Sequence, residues 1–151
     1  MNSAVIVAGG TGSRMEGDIP KQFIKLKEEE ILSYSVTTFL NHPQIGEVVI
    51  VCHPDWIEHV KSKYPECIVT KGGERRQDSS LIGVKTTSNG AEIVLIHDAA
   101  RPFVSESIIT DCLTALENSD GSAPILDSQN SLVKWDGIKA LRINRSEIKI
   151  V

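Results

Sequence analysis

Short apolar runs recur along the first hundred residues, separated by polar segments that contain glycine or proline. The runs are four to six residues long and rich in valine and isoleucine, which is typical of strands buried in a parallel sheet. The strands predicted in this way cover residues 4–7, 47–52, 67–70 and 93–96.

Between these runs, apolar side chains recur at helical spacing and predict a helix after each strand. The predicted helices cover residues 31–40, 56–63, 80–87 and 105–116. Asp55 and Ser105 stand where N-caps of the second and last helices are expected. Strands alternating with helices predict an α/β fold with a Rossmann-like, mostly parallel sheet and helices on both faces.

The last third of the chain changes character. Asp136 and Gly137 separate two strand-like runs, residues 132–135 and 138–143, and this arrangement predicts a β-hairpin. A two-stranded hairpin is only marginally stable alone, so it needs a partner surface. The sequence leaves open whether the hairpin packs on its own domain or on a second subunit.

Composition and charge narrow the class of protein. A chain of 151 residues, 40% of them hydrophobic, suits one domain over residues 1–151. The net charge of −4 and the interspersed charges argue against a nucleic-acid partner. Three cysteines without metal spacing, no apolar run of membrane length and a first strand directly after Met1 predict a cytoplasmic protein without a signal peptide.

A glycine-rich loop directly follows the first predicted strand. It contains Gly9, Gly10 and Gly12, and the cations Arg14 and Lys21 come next. Glycine lets a backbone approach a ligand closely with its N–H groups inward, although a strand-to-helix turn also needs glycine. The sequence is neither a P-loop nor the dinucleotide fingerprint. The added cations favour a nucleotide-phosphate site.

Two further loops leave carboxyl ends of predicted strands. One is the segment 71–79, KGGERRQDS, and the other is the segment 97–102, HDAARP. Ligands of such sheets bind beyond the carboxyl ends of the strands. We therefore expect the three loops to converge on one site.

The first loop, AGGTGSRM followed by PKQF, resembles the signature of nucleotidylyltransferases. The PKQF ending narrows the resemblance to the cytidylyltransferases, chiefly the 2-C-methyl-D-erythritol 4-phosphate cytidylyltransferases, with the ribitol-5-phosphate cytidylyltransferases as nearest relatives. The other two loops match motifs of the same family in the same order. The resemblance implies CTP and a polyol phosphate as substrates and nucleotidyl transfer as the reaction.

The resemblance also implies roles for individual residues. Arg14 and Lys21 match the two cations that stabilise the transition state. The residues that match nucleotide contacts are Ala8, Gly9, Gly10, Gly12, Gly73, Ser79, Asp98 and Arg101. Asp98, at the end of a strand, can also ligate Mg²⁺, whereas the structural alternative is a pair with Arg101 that fixes the turn.

For the second substrate, the resemblance implies contacts from Ser128 and Arg145, while Leu126 departs from the family pattern. It also implies a homodimer formed through a β-arm, residues 128–145. The chain ends in a strand-like segment, residues 147–151, and members of the family continue beyond it. We therefore expect a carboxyl-terminal part of the domain to be missing; a truncated chain, an ordered part of a longer one and a shortened relative all stay open.

Two alternatives remain at this point. The AGG triplet favours a ribitol-5-phosphate cytidylyltransferase slightly, but the HDAARP motif and the spacing from Gly73 to His97 favour the methylerythritol enzyme. A non-catalytic nucleotide-binding subunit is the alternative of another class. The presence of Arg14, Lys21 and Asp98 argues against it.

Overall fold

The computed structural model describes residues 1–10, 19–127, 133–135, 137–142, 144 and 147–150. The chain divides into two compact units, Met1–Ile109 and Thr110–Val151. The extent of a single domain over residues 1–151 stays a prediction.

The first unit alternates strands with helices, as predicted. Its elements are β1 (Asn2–Ala8), β2 (Lys25–Leu26), β3 (Glu29–Glu30), α1 (Ile31–Asn41), β4 (Ile45–Cys52), α2 (Ile57–Lys63), β5 (Ile68–Lys71), α3 (Arg76–Thr86) and β6 (Ile93–Asp98). The helix α4 (Glu106–Ala115) crosses the boundary between the units. The second unit contains β7 (Leu126–Asp127), β8 (Val133–Trp135), β9 (Ala140–Arg142) and β10 (Lys149–Ile150). Short 3₁₀ turns cover Lys21–Phe23, Pro54–Trp56 and Leu116–Asn118.

The central sheet has four parallel strands in the order β5-β4-β1-β6. The strand β1 lies between β4 and β6, and Ile6 is paired with Ile50 on one side and His97 on the other. Along the chain, β4 and β5 are therefore added on one side of β1, whereas β6 is added on its other side. In sheets of this kind, such a reversal opens a crevice at the carboxyl ends of the two strands.

The core confirms helices on both faces of the sheet. Ser35 of α1 is hydrogen-bonded to His97, whereas Arg76 of α3 is hydrogen-bonded to the next residue, Asp98. Because successive residues of a strand point to opposite faces, α1 and α3 lie on opposite faces. α3 packs closely on the sheet because position 83 is glycine. A Cβ atom there would lie 2.2 Å from a methyl carbon of the fully buried Val5.

Two predicted helix starts differ from the structure. α3 begins at Arg76, four residues earlier than predicted from apolar spacing. Its first turn is polar and is held by Asp78, which accepts the Arg75 N–H at 3.2 Å. The prediction that Asp55 caps α2 was wrong: Asp55 lies inside a 3₁₀ turn, where its own N–H donates to Nδ1 of His53 at 3.3 Å. Ser105, in contrast, accepts the N–H of Ile108 at 3.3 Å, as expected of a cap.

The predicted hairpin is present in the second unit. β8 and β9 are antiparallel, with Val133 opposite Arg142. Gly137 between them has a φ of +98°, a conformation that glycine adopts without strain. The strand-like end of the chain forms β10, which pairs with β7. No helix in the described parts of the chain combines the length and apolarity needed to cross a membrane.

Candidate active site

A cleft of about 440 Å³ opens at the carboxyl ends of β1 and β6, where the strand order reverses. The start of α3 forms its third side. The described segments of all three predicted loops line this one cleft, as expected from the topology. The predicted nucleotide contacts that line it are Ala8, Gly9, Gly10, Gly73, Ser79, Asp98 and Arg101.

Small residues let the two glycine loops meet at the base of the cleft. The Ser79 hydroxyl accepts the N–H of Gly73 at 3.1 Å, and Ser79 is 3% exposed. A Cβ atom on Gly72 would lie 2.9 Å from Oγ of Ser79 and 3.7 Å from the Cα of Gly9. A side chain at position 72 would therefore displace the Ser79 hydroxyl. The close approach lines the base of the cleft with the backbone of Gly9 and Gly73 and with one buried hydroxyl.

The side chain of Gln22 joins the end of β1 to the first glycine loop. Its Nε2 donates to the carbonyl oxygen of Ala8 at 2.6 Å and to that of Gly10 at 3.0 Å. Sequence reasoning used Gln22 only as part of the PKQF motif and gave it no role. The signal in the sequence was its place in the PKQF motif directly after Lys21; its burial is visible in the structure alone.

Asp98 lies between two arginines in the cleft. Its Oδ1 accepts Nε and Nη2 of Arg76 at 2.8 and 2.7 Å, and its Oδ2 lies 3.4 Å from Nε of Arg101. The predicted Asp98–Arg101 pair is therefore present, but the shorter contacts are to Arg76. Arg76, also in the cleft lining, was missed as a site residue, although it lies in the second of the three predicted loops, the segment 71–79.

His97 holds the turn that follows β6. Its Nε2 lies 3.0 Å from the carbonyl oxygen of Arg101 and 3.0 Å from Oγ of Ser35. Because a carbonyl only accepts, Nε2 carries the proton. Burial lowers the pKa of His97, and the hydrogen bond to Arg101 opposes this shift only in part. His97 is therefore a neutral donor that positions the Asp98–Arg101 turn.

No group of three or more His, Cys, Asp and Glu side chains that could hold a metal ion occurs within the described residues. Asp98 can still supply one carboxylate oxygen, because the contact of its Oδ2 among the described residues is the one to Nε of Arg101 at 3.4 Å. Mg²⁺ is commonly bound by one or two carboxylates together with substrate phosphates. The donor set of the cleft fits a metal ion that arrives with a nucleotide.

Cys52, whose carbonyl oxygen accepts the N–H of Gly72 at 2.8 Å, lies close to the cleft floor. Burial raises the pKa of its thiol to about 11. A thiol with this pKa stays protonated near neutral pH and is a poor nucleophile. The geometry therefore gives no support to covalent catalysis by Cys52.

Four predicted site residues, Gly12, Arg14, Ser128 and Arg145, lie outside the described residues. Lys21 is described: it is exposed and begins the 3₁₀ turn that also holds Gln22. The catalytic roles of Arg14 and Lys21 and the substrate contacts of Ser128 and Arg145 stay predictions.

Comparison with known proteins gives a consistent result. The family model described as 2-C-methyl-D-erythritol 4-phosphate cytidylyltransferase matches residues 2–147. A protein of that name from Clostridium botulinum (strain Okra / Type B1) is 46% identical over 99% of this chain and 69% of its own length. One from Roseobacter denitrificans is 39% identical over 89% of this chain and 60% of its own length.

Solved structures agree on the fold. The crystal structure of 4-diphosphocytidyl-2C-methyl-D-erythritol synthase from Anaerococcus prevotii superposes with a TM-score of 0.86 at 24% identity. The superposition covers 98% of this chain and 65% of that one. The chain thus spans about two thirds of the length of these proteins.

Proposed function

Because the chain belongs to the family of 2-C-methyl-D-erythritol 4-phosphate cytidylyltransferases, CTP-dependent nucleotidyltransferases of isoprenoid precursor biosynthesis, we propose that it performs the family's reaction. It transfers the cytidylyl group of CTP to 2-C-methyl-D-erythritol 4-phosphate and releases pyrophosphate. The main observation behind the proposal is the cleft at the carboxyl ends of β1 and β6, where the strand order reverses. It is lined by both glycine loops and by Asp98, which lies between two arginines.

The chemical step is an in-line displacement at phosphorus. A phosphate oxygen of the second substrate attacks the α-phosphorus of CTP, and the bond from this phosphorus to the bridging oxygen of pyrophosphate breaks. The attacking phosphate is already ionised, so no general base is needed. Catalysis then consists of positioning the two anions and stabilising the charge that accumulates at the α-phosphate.

Cations supply that stabilisation. We assign Lys21 and Arg14 to the α-phosphate because of their places in the signature loop. Lys21 is exposed beside Gln22 of the cleft lining, and an ammonium acts there as a compact point charge. Arg76 and Arg101 add positive charge at the opposite wall, where both contact Asp98.

The nucleotide would be held largely by backbone. Ala8, Gly9 and Gly73 line a narrow floor, and the Ser79 hydroxyl adds one buried polar group. A slot built from backbone amides can reject a purine by its size and read the amino and carbonyl groups of cytosine. Arg101 and Asp98 then lie where the sugar and phosphates continue.

We propose Mg²⁺ as the cofactor, with Asp98 as its protein ligand. When bound, Mg²⁺ neutralises phosphate charge and aligns the triphosphate. The chain's own contribution is to hold the Asp98 carboxylate in the cleft lining, where Arg76 binds Oδ1 at 2.7 and 2.8 Å and Oδ2 has the longer contact, 3.4 Å, to Arg101.

We also propose that the protein is a homodimer formed through the β-arm, residues 128–145, and that Ser128 and Arg145 contact the second substrate. The support is the exposed apolar surface of the hairpin, where Val133 is 62% exposed. A cytoplasmic location is part of the proposal; it is supported by three cysteines without disulfide partners.

The test is pyrophosphate release from CTP and Mg²⁺, with 2-C-methyl-D-erythritol 4-phosphate and ribitol 5-phosphate offered in separate reactions. We expect release with the first substrate only. Release with only the second would replace the proposed substrate and keep the mechanism. Folded protein that releases pyrophosphate with neither would contradict the proposal.

Lys21→Ala tests the assigned cation in the same assay. We expect kcat to fall by roughly 10²- to 10³-fold, as when one donor to a developing oxyanion is removed. Lys85→Ala is the matched control, because Lys85 is an exposed lysine in the last turn of α3, away from the cleft. Equal activity of the two variants would remove Lys21 from the chemical step.

A further inference from the structure

Gln22 places its amide nitrogen between two backbone carbonyl oxygens. Its side chain is buried, with Gln22 5% exposed, and its Nε2 faces two carbonyl oxygens at 2.6 and 3.0 Å. An amide nitrogen carries two hydrogens, so each carbonyl receives one of them. An oxygen atom in the same place would face two acceptors. The local geometry therefore requires glutamine and excludes its acid.

The two acceptors lie on either side of the turn out of β1. One is the carbonyl of Ala8, the last residue of β1, and the other is the carbonyl of Gly10 in the loop. In a planar trans peptide the carbonyl and the following N–H point in opposite directions. The bond from Gln22 to Ala8 thus turns the N–H of Gly9 away from Gln22.

The backbone of Gln22 is held in a 3₁₀ turn. The N–H of Phe23 donates to the carbonyl of Pro20 at 2.9 Å, which closes the 3₁₀ turn around Lys21 and Gln22. The ring of Phe23, 5% exposed, stacks on Trp56 with centroids 4.1 Å apart and planes at 14°. An aromatic pair of this geometry adds to the stability of the turn.

We propose that Gln22 is a positioning residue that sets the conformation of the nucleotide-binding loop at Gly9 and Gly10. Its amide fixes the loop in the shape that receives CTP, and the same turn fixes the backbone of the neighbouring Lys21. Gln22 acts through backbone atoms of the loop and touches no reacting atom. This inference rests on the proposed function, because the loop matters only if the cleft binds a nucleotide.

The test is a calorimetric titration of the whole chain with CTP and Mg²⁺, comparing wild type with Gln22→Glu and Gln22→Asn. The acid places an oxygen against two carbonyls, and asparagine is one methylene too short to reach both. We expect the Kd for CTP to rise about tenfold or more in each variant, because the loop loses one or both of the hydrogen bonds that hold it. Gln44→Glu is the matched control: Gln44 is exposed and lies at the amino end of β4, whereas the cleft lies at the carboxyl ends of the strands.

Steady-state kinetics separate positioning from a general loss of folded protein. Positioning of the loop predicts a higher KM for CTP with little change in the KM for the polyol phosphate. A smaller folded fraction would lower kcat and leave both KM values unchanged. If Gln22→Glu does not fold, Gln22→Asn decides the question.

Two different outcomes would overturn the positioning role of Gln22 and the proposed function. Folded Gln22→Asn with a wild-type Kd and KM for CTP would overturn the positioning role alone. Folded wild-type protein that binds no CTP would overturn the proposed function and this inference with it.

Discussion

In the cleft, the carboxylate of Asp98 forms ion pairs with two arginines, Arg76 and Arg101. Arg76 reaches it from α3 and Arg101 from the following turn, while His97 holds that turn from the other face of the sheet. The arginine side chains are 63% and 66% exposed, and exposed ion pairs contribute little to stability. We infer that the Arg76–Asp98 pair orients the carboxylate and adds little to the stability of the fold.

A double-mutant cycle with Arg76→Ala and Asp98→Asn tests this inference. We expect a coupling in the free energy of unfolding below about 1 kcal/mol, because the pair is solvent-exposed. The same cycle measured on CTP affinity should be clearly non-additive, because each residue determines where the other lies. Arg75→Ala is the control: Arg75 pairs with Asp78 instead, so its effect should add to that of Asp98→Asn. A large coupling in unfolding and none in CTP affinity would assign the pair to stability.

His97 predicts a dependence of stability on pH. Burial lowers its pKa below the ordinary 6.5, so the unfolded chain takes up a proton at a pH where the folded protein does not. The free energy of unfolding should therefore fall as the pH drops below about 6.5, by at most about 1.4 kcal/mol per unit for one proton. Urea denaturation between pH 7.5 and roughly pH 5 measures the slope.

The variant His97→Gln separates this contribution from those of other groups. Glutamine keeps an N–H donor for the Arg101 carbonyl but does not titrate, so the slope should become shallower by the contribution of one proton. Identical slopes for wild type and His97→Gln would contradict the assignment.

At the residue scale, the sequence shows which side chains enter the cleft better than it shows what they contact. Asp98, Gly73 and Ser79 were predicted because motifs name them at strand ends. The contact from Arg76 to Asp98 was not predictable, because it depends on how closely α3 approaches β6. The hydrogen bonds from Gln22 to Ala8 and Gly10 were not predictable for the same reason, because no local pattern shows which carbonyls a buried amide will reach.

α3 links the cleft to the core of the first unit. Its first turn brings Arg76 and Ser79 to the cleft, and one turn further Gly83 lies against the valines of β1 and β4. A Cβ atom on Gly83 would lie 2.2 Å from Val5 and 2.9 Å from Val51. The distance between helix and sheet, and with it the place of Ser79, depends on this glycine.

Gly83→Ala should destabilise the protein although alanine is the better helix former. The favourable propensity is about 1 kcal/mol, whereas forcing a methyl group into a packed core typically costs about 1–3 kcal/mol. We expect a net loss of up to about 2 kcal/mol in urea denaturation, and a weaker affinity for CTP because α3 shifts. Gly90→Ala is the control, since nothing lies within 4 Å of its Cβ position. Equal stability of the two variants would show that α3 adapts without cost.

At the element scale, strands were easier to predict than helix starts. Runs such as residues 47–52 are apolar on both faces because α1 and α3 cover both, and this leaves a continuous signal in the sequence. The first turn of α3 carries arginine, glutamine and aspartate, so apolar spacing misses it. The signal in the sequence is Asp78 at the third helical position, whose carboxylate accepts the Arg75 N–H. At α2, Pro54 opens a 3₁₀ turn and moves the helix start beyond Asp55.

At the scale of the whole molecule, the hairpin of the second unit has apolar side chains that its own strands do not bury. Val133 is 62% exposed and Leu141 is 41% exposed. Two short strands cannot form a core by themselves. This is the physical basis for proposing that the β-arm packs on a second subunit.

Deleting residues 131–142 should therefore give a monomer in sedimentation velocity. Val133→Asp is a smaller change that should weaken the dimer by placing a charge in the interface. Leu81→Asp is the control, since Leu81 is an exposed leucine of α3 in the first unit. A dimer that survives the deletion would contradict the role of the arm.

The α/β class and its sheet were predictable from the alternation of elements. Assembly was not, because the Asp-Gly turn fixes a hairpin but says nothing about what covers its apolar side chains. Similarly, sequence reasoning placed the nucleotide site at strand ends, yet the order β5-β4-β1-β6 had to be seen before the crevice could be assigned to β1 and β6.

That strand order has a consequence for the time course of folding. Of the four strands described in this sheet, β1 is synthesised first, but one of its sides lacks a partner until β6 pairs with it. Pairings between distant segments form slowly, because the loop between them must close first. The bridge from Gln22 to Ala8 can form early, whereas Asp98 arrives only with β6. A nascent chain therefore acquires the glycine loops and the Arg76 side chain of the cleft before the Asp98 carboxylate that Arg76 binds.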